Sequence, residues 1–479
     1  MRRRTVLIGS AVTSALMMLP GAAVSAPSAA PAPAPSLQPA AGLGDPYYPL
    51  DGNRGYNVLG YHVRLSYFAS RQTIRARTVV RAVSKERLTS VHLDLVGLRV
   101  DAVQVNGRRA AWTRSGPSGH ELVVSPARAV AAHQPLVVAV SYHGKPSAEA
   151  DGSVPSGWFD ARTRGGGFIA GEPHSCTFWY PCNDHPTDKA RFSLAATVPR
   201  PFAVVSVGAQ LKTTAGVRQG REVRTFRWRL GERTATYLTT IYIDKLTFER
   251  SRLDDGTRVI SAYGPDPGAA PRNERKLPEA LRVLTRYWGP YPAPQAGGIF
   301  VSGTVPFSLE TFTRPVYTEG AGIQTIVHEN AHQWWGDNVS VKRWRDVCFN
   351  ECLASYSQWL WDAHKGTDLD ARYRRNVRSD GSSLFSWPLY DTGAGHEFDV
   401  GVYYKGKYFV HALRNKVGDR RFFAAMREIQ SERAGRNMSM LELRDALERK
   451  TGVALTSFWR EWVLETGRPS RANLFPGSI

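Results

Sequence analysis

A change of hydrophobic period near residue 250 constrains this chain more than any other feature. Ahead of it, apolar residues alternate with polar ones at Tyr61, Val63, Leu65 and Tyr67, at Phe226, Trp228 and Leu230, and at Tyr237, Thr239, Ile241 and Ile243. A period of two belongs to half-buried strands. Val100, Val103 and Val105 run into Asn106-Gly107, a dipeptide suited to a two-residue hairpin. Beyond residue 250 the spacing turns helical, over Glu279 to Tyr287, Gly322 to Trp335, Val347 to His364 and Lys405 to Val417. The expectation is an α+β, two-domain fold: an N-terminal all-β sandwich or saddle over 45–250, followed by a mainly α-helical domain over 251–479.

The first 44 residues read differently. Arg2, Arg3 and Arg4 precede an apolar run from Val6 to Leu19 and the small residues Gly21 to Ala26, the pattern of a signal peptide over 1–26. The order Arg3-Arg4-Thr5-Val6-Leu7 resembles a twin-arginine export signal. Residues 27–44 are mostly Ala and Pro and read as a linker. No later stretch is long and apolar enough for a membrane span, so the expectation is a secreted protein, extracellular or in the cell wall, with no stable membrane anchor. Lys and Arg number 62 against 42 Asp and Glu, a net charge of +20, which suits contact with an anionic cell wall. No dense basic run interleaved with aromatics accompanies that charge, which argues against nucleic acid as a partner. Four cysteines with no C-x-x-C pair exclude a disulfide-built scaffold and a thiolate zinc ribbon.

The helical half contains His328-Glu329-Asn330-Ala331-His332. Residues four apart share a helix face, so both imidazoles reach one ion while Glu329 lies beside it. Glu351 follows at the start of the next predicted helix, and the turn residues Gly336-Asp337-Asn338 between them allow that helix to return antiparallel. Two neutral imidazoles and a carboxylate are the ligand set of a catalytic zinc with an open position. Such an ion lowers the pKa of its bound water, and Glu329 stands where a general base is needed. A structural zinc would more often be closed by thiolates and would not require Glu329.

The stretch "TIVHENAHQWWGDNVSVKRWRDVCFNECLASY" resembles the zinc segment of the aminopeptidase N family of metallopeptidases, the gluzincins. The resemblance covers roughly residues 45–470. It implies a β domain joined to a thermolysin-like catalytic domain, without the further helical domain of larger members. It also implies one Zn2+ per chain, with His328, His332 and Glu351 as ligands and Glu329 as general base. The family's Gly-Ala-Met-Glu-Asn element falls at Phe307-Ser308-Leu309-Glu310-Thr311, where only the acid is shared, and Glu310 is expected to hold a substrate's α-ammonium. The segment "GEPHSCTFWYPCNDHPTDKARF" places Glu172 as a second amine-binding acid. The context Tyr403-Tyr404-Lys405-Gly406 assigns oxyanion stabilisation to Tyr403, with Tyr404 as the competitor by register.

The implied function is a zinc aminopeptidase acting on peptides with a free N-terminus, expected as a monomer. Two readings compete with it: a thermolysin-type endopeptidase, and a catalytically silent, wall-associated binding protein of the same fold. Cys348 and Cys352, which flank Glu351, are expected as small buried fillers, and pairing of Cys176 with Cys182 stays open. Trp334 and Trp335 are expected in the core and along one wall of the site.

Overall fold

Strand β1 (Tyr56–Phe68) keeps the alternating period, with Tyr61, Val63, Leu65 and Tyr67 buried and His62 and Arg64 facing solvent. This computed structural model describes residues 42–479 apart from 152, 153, 304, 380, 381 and 478. The expected signal peptide (1–26) and most of the expected linker (27–44) lie outside the described residues. Strand β1 pairs antiparallel with β2 (Thr73–Ser84), which pairs with β3 (Pro135–Gly144). On its other side β1 runs parallel to β4 (Ala190–Pro199), and β4 pairs antiparallel with β5 (Arg221–Thr234). These strands form the middle of an 11-stranded sheet. Asn106 and Gly107, with φ of 48° and 79°, make the expected hairpin turn between Arg99–Val105 and Arg108–Ser115. A second sheet of five strands includes Val154–Asp160 and Gly167–Ala170.

The boundary expected at residue 250 falls inside a strand, Thr247–Arg252. That strand joins Arg258–Tyr263, Gln295–Ala296, Ile299–Phe300 and Val316–Tyr317 in a third sheet, so the helical half opens on β structure. Three of these strands are two residues long and carry no period that a sequence displays.

Helix α1 (Leu277–Trp288) buries Ala280, Leu281, Val283, Leu284 and Trp288, a stripe at helical spacing. Helix α2 (Ile323–Ala331) ends ahead of the expected Trp335, because the chain tightens into turns and then passes Gly336 at φ 132°. Helix α3 (Cys348–His364) matches the sequence reading to within one residue. Helix α4 (Val400–Val417) starts before the expected Lys405, which places Tyr403 on its first turn. A Cβ on Gly406 would lie 2.7 Å from Cys352 Sγ and 3.1 Å from its Cα, so glycine at this position lets α4 lie directly against α3.

The described residues belong to one compact unit. Buried Lys189 ties its two halves together by donating to the carbonyls of Asp337 and Asn338, each at 2.9 Å, and of Arg436 at 3.2 Å. Among the described residues no helix is long and apolar enough to cross a membrane.

Burial leaves one acid of the helical half protonated over part of the ordinary pH range. Glu274 accepts from Ser261 Oγ at 2.7 Å, and its other oxygen has no partner among the described residues. Burial pushes its pKa from 4.5 up to about 8. Between those values the folded protein keeps a proton that the unfolded chain releases, so stability falls as pH rises through that window. Glu274→Gln is expected to remove this group's share of the slope and to exceed the parent in stability at pH 8 by on the order of 3 kcal/mol. Urea unfolding at pH 5 and pH 8 measures it.

Candidate active site

The site forms where α2, α3 and α4 meet the loops of the β-rich half. His328 and Glu329 lie on α2, and His332 follows directly as its C-cap. Glu351 projects from the first turn of α3. His328 Nε2 lies 3.2 Å from Glu351 Oε2 and 3.2 Å from His332 Nε2, and His332 Nε2 lies 3.6 Å from the same carboxylate oxygen. Ligand atoms around a tetrahedral zinc, with bonds of about 2.0–2.1 Å, stand about 3.3 Å apart. These three atoms already have that separation, so the donor set fits the metal. His332 Nδ1 donates to the Trp335 carbonyl at 3.0 Å, which leaves Nε2 as the free lone pair for an ion.

Glu310 is carried on a tight turn whose ends are joined by paired backbone bonds between Leu309 and Val316. Fully buried Arg314 secures that turn by donating to the carbonyls of Ile260, Ser206 and Gly208. Gln333, on the turn after α2, donates to the Glu310 carbonyl at 3.1 Å, and Tyr237 donates its hydroxyl to Glu310 Oε1 at 3.2 Å. Glu172 enters from the loop after Gly167–Ala170, and its Oε1 is buried with no partner among the described residues. Tyr403 is half-buried on the wall, its ring centroid 6.0 Å from that of His328. Tyr404 is 51% exposed with Lys407 over its ring, and of the two tyrosines it is Tyr403 that lines the cavity.

All seven residues singled out from the sequence line one cavity of about 200 Å³. Val154, Phe307, Ser308, Leu309 and Phe398 complete its wall. Four carboxyl groups thus share a buried space with two imidazoles. Burial, with the charges of Glu310 and Glu351, drives the Glu172 carboxyl well above its ordinary range. Burial does the same to Glu329, reinforced by Glu310 and Glu351. Burial alone would lower the His332 pKa, but Glu351 and Glu310 outweigh it and raise it well above normal. Burial opposes ionisation of Glu351, yet His332 and His328 hold it down at about 2. Four buried acids around two imidazoles call for a cation, and His328, His332 and Glu351 bring their ligand atoms together as a cation would require.

Two expectations are corrected here. Cys348 and Cys352 are not free fillers: they are bonded to each other within α3, on one helix face beside Glu351. Cys176 and Cys182 are also bonded, which settles the question left open. Trp334 and Trp335 are fully buried, and neither lines the cavity. Trp334 Nε1 donates to the carbonyls of Gly289 and Pro290, and Trp335 packs edge-on against Trp288, so both belong to the core. Tyr237 carries no site signal in the sequence, where its place in an alternating run reads as ordinary strand packing; the structure sets it on a short helical turn, Thr236–Leu238.

The sequence matches the Peptidase M1 N-terminal domain over residues 57–238 and the Peptidase family M1 domain over residues 313–462. Fold and site define a two-domain zinc metallopeptidase, and the chain belongs to the aminopeptidase N-like M1 family. It is 24% identical over 334 residues to Aminopeptidase N of Lactococcus lactis subsp. lactis, taking in 62% of this chain and 38% of that one. It is 23% identical over 414 residues to Tricorn protease-interacting factor F2 of Thermoplasma acidophilum, with 79% and 50% covered. The chain therefore spans half or less of the length of these curated relatives. Among solved structures, the M1 zinc metallopeptidase from Deinococcus radiodurans matches with a TM-score of 0.81 at 28% identity, covering 90% of this chain and 98% of that one. A mutant of that metallopeptidase bound to a Tyr-Ser-Ala substrate matches with a TM-score of 0.80 at 26% identity, covering 90% and 99%.

Proposed function

We propose that this protein is an exported, monomeric zinc aminopeptidase with one zinc per chain, releasing N-terminal residues from peptides. The observation that carries this reading is the pairing of Glu310 and Glu172, in one cavity, with the imidazole–carboxylate triad and Glu329. A carboxylate pair at a fixed distance from the ligand triad takes up a free α-ammonium and sets which peptide bond reaches the triad. His328, His332 and Glu351 would hold zinc, which when bound would supply Lewis acidity to polarise the carbonyl and lower the pKa of the attacking water.

The remaining work falls to the chain's own groups. Glu329 takes the proton from water as its oxygen attacks the first peptide carbonyl carbon, then delivers it to the nitrogen as the C–N bond breaks. The Tyr403 hydroxyl donates to the oxygen on which negative charge develops. Burial keeps that phenol protonated, its pKa well above the ordinary value. Tyr237 fixes one oxygen of Glu310, leaving the other for the ammonium. Export is supported by the N-terminal pattern and by the two disulfides, which suit an oxidising exterior.

Glu310→Gln removes one charged partner of the ammonium. It is expected to raise KM and lower kcat/KM for a free peptide by roughly 10- to 100-fold. The same peptide acetylated at its N-terminus is expected to be a poor substrate for parent and variant alike. Steady-state kinetics on the pair of peptides test this, and efficient cleavage of the acetylated one by the parent would overturn the exopeptidase reading.

A further inference from the structure

A concavity of about 1020 Å³ lies away from the active site, on the solvent face of the 11-stranded sheet. Its floor is the outward-facing set of side chains whose inward neighbours build the β core. Register places Arg64 opposite Arg77 across β1 and β2, and Ala195 of β4 joins Arg64 to Arg227 of β5. The next row runs from Arg229 through Ser193 to His62, and the row on the other side sets Ser66 against Arg75. Arg81 extends the line along β2.

Like charges directly opposite one another destabilise a sheet, and only neutral groups answer them here: Arg77 donates to Gln104 Oε1 at 3.0 Å, and Arg227 to the Lys212 carbonyl and Thr214 Oγ1. Among the described residues none of Arg64, Arg75, Arg77, Arg81, Arg227 and Arg229 forms an ion pair. The one acid on the lining, Asp101, is taken by His143 at 2.8 Å. Burial and the charges of Arg81, Arg229 and Arg64 also lower the pKa of His62, as a concentrated positive field would.

We propose that this groove docks a linear, base-free polyanion: polyol units joined by phosphodiesters. The guanidinium fork matches phosphate oxygens in pairs, which a lysine surface would not do. Arginines on alternate residues of one strand recur every ~6.7 Å, a spacing of single charges separated by neutral linkers. The hydroxyls of Ser66, Ser141 and Ser193 stand among them, with Ser66 accepting from Arg218 at 2.9 Å and Ser193 bonded to His62 Nδ1 at 2.7 Å. The only aromatic six-membered ring on the lining belongs to Trp228, which is 1% exposed, so no platform is offered for stacking bases. Five strands at about 4.8 Å give the groove a width of about 20 Å, enough for several repeats. The proposal is independent of the peptidase reading, and either stands if the other fails.

The test is fluorescence anisotropy of a labelled glycerol phosphate decamer with the full chain across a salt series. Binding is expected to weaken steeply with salt. Arg64→Ser/Arg77→Ser/Arg229→Ser should weaken it at least tenfold and reduce the log–log salt slope by about 2. Arg77→Ser alone, a milder change, should reduce the slope by about 0.7. Peptidase activity should be unchanged in both, and removing the same charge elsewhere, with Arg420→Ser/Arg421→Ser/Arg449→Ser, should leave binding within twofold. Binding that survives the triple groove variant, or falls equally in the control, overturns the proposal. Tighter binding of poly-uridylate than of the decamer overturns the base-free assignment.

Discussion

Glu329→Gln is expected to lower kcat on a peptide with a free N-terminus by about three orders of magnitude while leaving zinc bound. Glutamine keeps the shape of the side chain but cannot accept a proton from water or carry it to the leaving nitrogen. Its place in the cavity is set by α2, one residue after the proposed ligand His328, and it lies outside the group formed by His328, His332 and Glu351. The metal should therefore be retained in full. The neighbours bear on this expectation: buried beside Glu310 and Glu351, the carboxyl is poised to hold a proton far more readily than an exposed glutamate. Metal analysis and steady-state kinetics on the same sample check both halves. A variant that keeps zinc and loses less than tenfold in kcat would remove Glu329 from the role of base.

Glu351→Ala is expected to act on the metal first and on catalysis as a consequence. A full set of zinc ligands is worth about 10–16 kcal/mol, so losing one of them should weaken binding by at least two to three orders of magnitude. In the parent, Glu351 is the group that both imidazoles contact, and its carboxylate holds the ligand cluster together. The variant should lose its zinc on dialysis, lose hydrolytic activity with it, and melt at a temperature no longer raised by added zinc. Ligand removal is thereby distinguished from base removal, since Glu329→Gln keeps the metal-dependent gain in melting temperature. Stoichiometric zinc and full activity in Glu351→Ala would mean that the triad is not the metal site.

The chemistry was legible in the sequence because it is local. The spacing His328–His332 is a property of one helix, and Glu351 reaches it through a single turn and the next helix, so period and turn residues suffice. Glu310, Glu172 and Tyr403 came from resemblance, and the fold brings all three to the cavity. What local spacing does not carry is long-range pairing. Tyr237 reaches Glu310 across 73 positions of the chain. Cys348 and Cys352 reveal their bond only once α3 is built, and the tight approach of Gly406 to Cys352 only once α4 lies on it. The arginine groove depends on β1 pairing in parallel with β4, so that Arg64 stands opposite Ala195. Each strand separately looks like an ordinary solvated face, and only their register makes one charged surface.

The central claim is that a single zinc, on His328, His332 and Glu351, serves an exopeptidase. The most direct measurement is a zinc titration of chelator-stripped protein, with a free decapeptide as substrate and the products identified by mass spectrometry. The account predicts no hydrolysis without metal, activity rising to a plateau at one equivalent of zinc, and products shortened residue by residue from the N-terminus. Full activity in the stripped protein, or fragments cut from the middle of the peptide, would contradict it.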